Sequence, residues 1–174
     1  MIYKNYDELI VGGGAAGFFS AINTAQKNPA LRVGILERGS NVLSKVKISG
    51  GGRCNVTHAE FEPKPLSSHY PRGQKELLGP FHTFMTGDTM QWFEERGVNL
   101  KIEEDGRVFP ESNSSQTIID CFTSEANKYN IDVLLNHSVQ DISTSKGGWE
   151  LSTPKGTFCA EKILIATGSN SKIW

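Results

Sequence analysis

A short apolar run, Leu9-Ile10-Val11, passes directly into Gly12-Gly13-Gly14-Ala15-Ala16-Gly17. The next apolar run, Leu31-Arg32-Val33-Gly34-Ile35-Leu36, ends on an acid, Glu37, roughly 20 residues after Gly17. A G-x-G-x-x-G turn between a strand and a helix has a steric reason at each glycine. Gly12 permits the tight turn, Gly14 lets the backbone approach a pyrophosphate, and Gly17 lets the following helix, expected over residues 15–28, pack close to the strand. The first-turn amides of that helix, at Ala15 and Ala16, then face an anion at the positive end of the helix dipole. Glu37 can accept both hydroxyls of an adenosine ribose, and its charge repels a 2′-phosphate, which favours FAD or NAD. With 18 glycines in 174 residues, the bare spacing arises by chance about 0.2 times. The flanking strand, helix and terminal acid therefore carry the argument against a mere glycine-rich turn.

Bulk properties bound the rest. The length fits one domain with a sizeable core, and 37% hydrophobic with 21% charged residues is ordinary for a globular protein. Lys+Arg 18 against Asp+Glu 19 leaves a formal charge of -1, so no global basic field argues for nucleic acid or an anionic membrane. No apolar stretch approaches the roughly 20 residues that span a bilayer, and no leader pattern opens the chain. A cytoplasmic location is expected. Cys54, Cys121 and Cys159 are odd in number and widely separated, which argues against a disulfide or metal framework. His58, His69, His82 and His137 are scattered and read as structural or solvent-facing.

The second informative stretch is Ser49-Gly50-Gly51-Gly52-Arg53-Cys54-Asn55, after a segment carrying Lys45 and Lys47. Three consecutive glycines suit close backbone approach to something flat or anionic. Arg53 can pair bidentately with a phosphate and Asn55 can hydrogen-bond a heterocycle edge. The alternative is a flexible surface loop with a surface arginine. Cys54 invites a redox role, but a lone cysteine beside glycines also serves as a small packing residue.

These motifs, together with Ile163-Leu164-Ile165-Ala166-Thr167-Gly168, resemble the bacterial BaiN-like FAD-dependent flavoproteins of the glutathione-reductase-type superfamily, from about Tyr6 to Gly168. The resemblance implies that Gly12, Gly14, Ala15, Ala16, Gly17 and Glu37 hold the ADP half of FAD. It implies that Ser49, Gly50, Gly51, Gly52, Arg53, Cys54 and Asn55 lie near the ribityl–isoalloxazine half. Gln116 would sit close to the cofactor, Val139 would meet the adenine through its backbone, and Ala166-Thr167-Gly168 would pass close by; Arg38 and Lys45 complete the cofactor-binding candidates. Glu8 and Lys47 stand where the family is usually apolar, and His58 where Asn is common, none of them a cofactor contact. The family usually continues ATGG and runs on, whereas here Ser169 follows Gly168 and the chain stops at Trp174. The chain is therefore expected to be a truncated N-terminal portion that binds FAD poorly by itself, is inactive alone, and associates through an exposed sheet edge.

The expected fold is α/β: a Rossmann-like FAD-binding domain over residues 1–174. Its parallel sheet is built from Leu9–Val11, Val33–Leu36, Ile131–Leu135 and Ile163–Ala166. Helices take one face, and a three-stranded antiparallel meander, about 138–160, takes the other. Asp88-Thr89-Met90-Gln91 reads as an N-cap box for a helix ended by Gly97, with Val98–Ile102 extended beyond it. Asn113–Gln116 caps a second helix with Ile118, Ile119, Phe122 and Ala126 in the core, and Phe61–Pro80 reads as a mobile loop. Three functional classes follow. The first is an FAD-dependent oxidoreductase moving hydride at the flavin, with NAD(P)H allowed as reductant; the substrate, a small molecule or an RNA base, and the catalytic residues stay open. The others are an NAD-binding dehydrogenase domain and a non-catalytic nucleotide-binding remnant.

Overall fold

The computed structural model describes residues 4–169; Trp174, where the sequence reading places a truncation, lies outside them. In chain order the first elements are β1 (Lys4–Val11), α1 (Ala15–Lys27), β2 (Val33–Leu36), α2 (Ser44–Ile48), a 3-10 turn (Ser49–Gly52), β3 (Thr57–His58), α3 (Pro63–Ser68), α4 (Gln74–Phe81) and α5 (Thr86–Glu94). There follow β4 (Leu100–Ile102), β5 (Arg107–Pro110), α6 (Ser115–Lys128), β6 (Asp132–Leu134), β7 (Asp141–Ser145), β8 (Gly148–Thr153) and β9 (Gly156–Ile165). Two compact units result, one of Met1–Lys45 with Phe122–Trp174 and the other of Val46–Cys121.

The first unit holds a six-stranded sheet in the order β6-β2-β1-β9-β8-β7. The four strands expected to be parallel are so: Leu9 lies opposite Gly34, Ile35 opposite Val133, and Val11 opposite Ile165. All four residues of β2 are buried, as a strand covered on both faces requires. Phe18, Ala21, Ile22 and Ala25 recur at helical spacing on the buried side of α1, and the Phe18 ring lies 6.0 Å from that of Phe122. A core cluster joins Tyr6, Leu9, Val11 and Leu36 with Leu151, Phe158 and Ala160.

The meander is not a separate layer on the opposite face. It is hydrogen-bonded into the same sheet, because no glycine or proline interrupts residues 157–165 and β9 runs straight through both expected strands. Phe158 accordingly pairs with Leu151 on one side and Lys4 on the other.

The second unit is built on the antiparallel sheet β3-β5-β4, with Val108 and Phe109 fully buried in β5. The stretch expected as a loop folds as α3 and α4. Pro63 sits in the first turn of α3, where a missing N–H costs nothing, and the Tyr70 and Phe81 rings meet at 5.5 Å. Asp88 is not the cap residue: α5 begins at Thr86, and the Asp88 carboxylate reaches back to accept the Met85 N–H at 2.8 Å.

One polar lock ties the parallel strands at the end away from the glycine turn. The Tyr6 hydroxyl donates to Asp132 Oδ2 at 2.7 Å, and Arg32 reaches the same oxygen at 3.3 Å while lying 4.6 Å from the tyrosine ring centroid. Burial first, then the hydrogen bond to Asp132, hold the phenol proton well above the usual tyrosine range, against the pull of Arg32. Tyr6→Phe should lower stability by about 1 kcal/mol in urea unfolding at neutral pH. The folded phenol ionises above the unfolded one, so its contribution is complete below about pH 10 and is lost as pH rises through the folded value. The variant should lack that part of the alkaline loss; an unchanged midpoint and alkaline limb would dissolve the lock.

Candidate functional site

The site forms where the parallel strands end. At Gly12 (φ +120) β1 turns, and the Gly12 N–H donates to Leu36 O at 2.9 Å. A Cβ at Gly12 would lie 2.4 Å from Ala166 O, and one at Gly17 would lie 2.0 Å from Gly12 O. Strand, helix and the turn after β9 therefore approach too closely for any side chain. At Gly14, with φ -92, an added Cβ meets no protein atom within 4 Å. Protein atoms thus crowd Gly12 and Gly17, while Gly14 is open, as the expected approach of a pyrophosphate requires. No side chain caps α1 at Gly14, so its first-turn amides stand at the positive end of the helix dipole without that cap.

Glu37 follows β2 and is held as a fork. Its Oε2 accepts the Gly13 N–H at 2.9 Å and its Oε1 accepts the Gly39 N–H at 2.7 Å. Its own backbone is laced to the segment after β6: Glu37 N–H donates to Leu134 O at 2.9 Å, and His137 N–H donates to Glu37 O at 2.8 Å. Lys45 Nζ donates to Ser169 O next to Gly168, itself at φ +70.

These groups wall a cavity of about 710 Å³, a size that suits a nucleotide-scale ligand. Of the residues singled out from sequence, Gly12, Glu37, Arg38, Lys45, Val139, Thr167 and Gly168 line it. His137, Ser138 and Ser169 line it as well and were not foreseen; the first two directly precede Val139, so the turn after β6 was the available signal. Arg38 and Lys45 against Glu37 give the wall a net positive character, and the ribose-type acid, glycine turn and helix amides together fit an adenine dinucleotide.

In the second unit, Ser49–Asn55 forms a tight loop with Gly50, Gly51, Gly52 and Cys54 all at positive φ, 55, 67, 87 and 62. Cys54 N–H donates to Ser49 O at 3.0 Å. Burial pushes the Cys54 thiol up despite the Ser49 hydroxyl, which suits a packing residue and leaves little thiolate at neutral pH. Asn55 Oδ1 accepts the Val108 N–H at 3.3 Å, and Arg53 is paired with Glu103. Gln116 is exposed in the first turn of α6 and donates to Asp120 Oδ1 at 2.8 Å. Among the described residues no group of three or more His, Cys, Asp or Glu is placed to hold a metal, and no helix is long and apolar enough to cross a membrane.

Sheet order, glycine turn and acid define the class, a dinucleotide-binding Rossmann domain. A family model for the HI0933-like protein Rossmann domain matches residues 6–173, and the chain belongs to that family. The ribosomal RNA dihydrouridine synthase of Escherichia coli is 30% identical over 168 residues, 97% of this chain and 40% of that protein. The 3-dehydro-bile acid delta(4,6)-reductase of Clostridium scindens is 25% identical over 162 residues, 93% of this chain and 39% of that protein. The chain thus spans about two fifths of the length of these curated relatives. A solved quinol fumarate reductase of E. coli shares the fold with a TM-score of 0.71 at 17% identity, over 100% of this chain and 34% of that one.

The three motif glycines should separate by measurement. Gly12→Ala and Gly17→Ala should each destabilise the fold by about 2–4 kcal/mol, since backbone atoms must move. Gly14→Ala should leave the unfolding free energy within about 0.5 kcal/mol of wild type and weaken dinucleotide binding instead. Equal loss of stability in all three would remove the distinction between packing and ligand glycines.

Proposed function

We propose that the 710 Å³ cavity holds the ADP half of FAD and that the protein is an FAD-dependent oxidoreductase. The observation that carries this reading is the Glu37 fork, presented between two glycine amides at the mouth of the Gly12–Gly17 turn. Bound FAD supplies hydride acceptance and donation, with NAD(P)H or a reduced substrate as the donor class. The chain's own residues bind and orient. Ala15 and Ala16 amides, with Gly14, receive the pyrophosphate; Glu37 accepts the ribose hydroxyls and repels a 2′-phosphate; Arg38 and Lys45 add positive charge; Val139 meets the adenine; and Ala166, Thr167 and Gly168 close the wall. Ser49–Asn55 and Gln116 are assigned to the flavin half on the family resemblance.

The substrate is proposed as a small molecule or an RNA base, the two kinds named by a bile acid reductase and a ribosomal RNA dihydrouridine synthase among the relatives. A cytoplasmic location is supported by three free cysteines, two of them buried. Self-association is assigned to the outer edge of β6, and concentration-dependent sedimentation tests it.

Protein expressed from its complete reading frame should be yellow, with flavin absorbance bands. A colourless protein that binds NAD instead would make it a nicotinamide dehydrogenase domain, and one that binds ADP without either cofactor would make it a nucleotide-binding remnant. Glu37→Ala should weaken FAD by about 1–3 kcal/mol in a fluorescence titration. Lys45→Met should weaken it less, with a loss that shrinks as salt rises. An unchanged FAD dissociation constant in Glu37→Ala would remove Glu37 from the site.

A further inference from the structure

We propose that Arg53 is a positioning residue: paired with Glu103 and seated on Phe109, it clamps the glycine loop Ser49–Asn55 in the shape offered to the cofactor, and it is not a phosphate ligand. The assignment of that loop rests on the FAD reading above.

The guanidinium is already engaged as a fork. Its Nη1 meets Glu103 Oε1 and its Nη2 lies 3.3 Å from Glu103 Oε2, a two-point match of planar groups that fixes orientation as well as charge. The same guanidinium carbon stands 3.9 Å from the centroid of the Phe109 ring, and Phe109 is fully buried. That ring also supports the loop at a second point, because a Cβ on Gly50 would lie 2.8 Å from Phe109 Cε1 and 2.7 Å from Asn55 N. Loop and β5 are knit by two further bonds, Val56 N–H to Val108 O at 2.8 Å and Val108 N–H to Asn55 Oδ1 at 3.3 Å. Gly51 and Gly52 stand apart, at positive φ with no protein atom within 4 Å of an added Cβ. Held from the Gly50 and Arg53 side, the loop presents bare backbone at Gly51 and Gly52.

A phosphate role conflicts with this arrangement. An anion approaching Arg53 also meets the Glu103 carboxylate, and taking Arg53 away would leave that half-buried carboxylate with Arg107 at 3.7 Å as its remaining ion pair among the described residues. Losing one partner of a half-buried pair is costly because the other charge stays behind. From sequence Arg53 reads either as able to pair with a phosphate or as a surface arginine, because Glu103 lies 50 residues away in the chain.

The test compares R53Q, E103Q, the double variant and R53K in protein expressed from its complete reading frame. FAD affinity is read by fluorescence titration, folding by melting without FAD, and loop order by amide hydrogen exchange at Cys54 and Val56. A clamp predicts that R53Q and E103Q each raise the FAD dissociation constant about tenfold, and that the double variant is no worse than either. R53K should fail to rescue, and exchange at Cys54 and Val56 should quicken in parallel in both single variants. E103Q with unchanged or tighter FAD binding, together with a weak R53Q restored by R53K, would make Arg53 a phosphate ligand and overturn the proposal. Unchanged exchange in both single variants overturns the clamp itself. Wild-type protein that takes up no FAD overturns the cofactor reading instead, a result the exchange data keep separate.

Discussion

The contact on which the first unit depends is the one between the Gly12 carbonyl and the Gly17 backbone, where an added Cβ would come within 2.0 Å. That approach presses α1 onto β1 and aims its first-turn amides past the strand end. The Gly12 turn is equally tight against Ala166, so β1, α1 and the turn after β9 meet at one backbone junction. Everything the cavity offers is arranged around it. Glu37 reaches in from the end of β2 and is steadied by Gly13, and the segment after β6 is tied to Glu37 through backbone bonds. A carboxylate fixed by two amides is already ordered, which would lower the ordering cost of binding on the proposed reading.

The parallel strands and their glycine junction were legible in the sequence because each expresses a local rule. Apolar runs bounded by glycine give β1, β2 and β9, and the interval from Gly17 to Glu37 places the acid at a strand end. Local rules also misled. Asp88 was taken as a cap when it sits inside α5, since a side chain that bonds back three residues reads the same from either position. Pro63, Pro65 and Pro80 suggest a loop, although Pro63 and Pro65 fall in the first turn of α3, where proline is tolerated, and Pro80 falls inside α4 next to its last residue. The meander was assigned its own layer because Thr157–Ala160 and Ile163–Ala166 look like two strands; only pairing on both edges shows them to be one.

What sequence could not supply was partnership at long range. Nothing near Arg53 announces Glu103, and nothing near Tyr6 announces Asp132, 126 positions on. Both pairings tie together segments that lie far apart in the chain. The cavity-lining His137 and Ser138 were hidden for a related reason. They sit on a turn with no motif of its own and matter only because Glu37 is laced beside them.

Charge placement follows from these pairings. The chain carries a formal charge of -1, so attraction for an anionic ligand cannot come from its overall field. The cations that line the cavity are Arg38 and Lys45, beside the uncapped start of α1. Sources of this kind act within about a Debye length, roughly 8 Å at physiological salt. On the proposed reading they would favour an anion that already lies along the Gly12–Gly17 turn rather than draw one in from a distance. On the proposed FAD reading Glu37 would set the polarity within the site, accepting the ribose hydroxyls and repelling a phosphate there. On that reading, the glycine turn and Glu37 would together fix the position of the ligand's pyrophosphate and its orientation along the cavity.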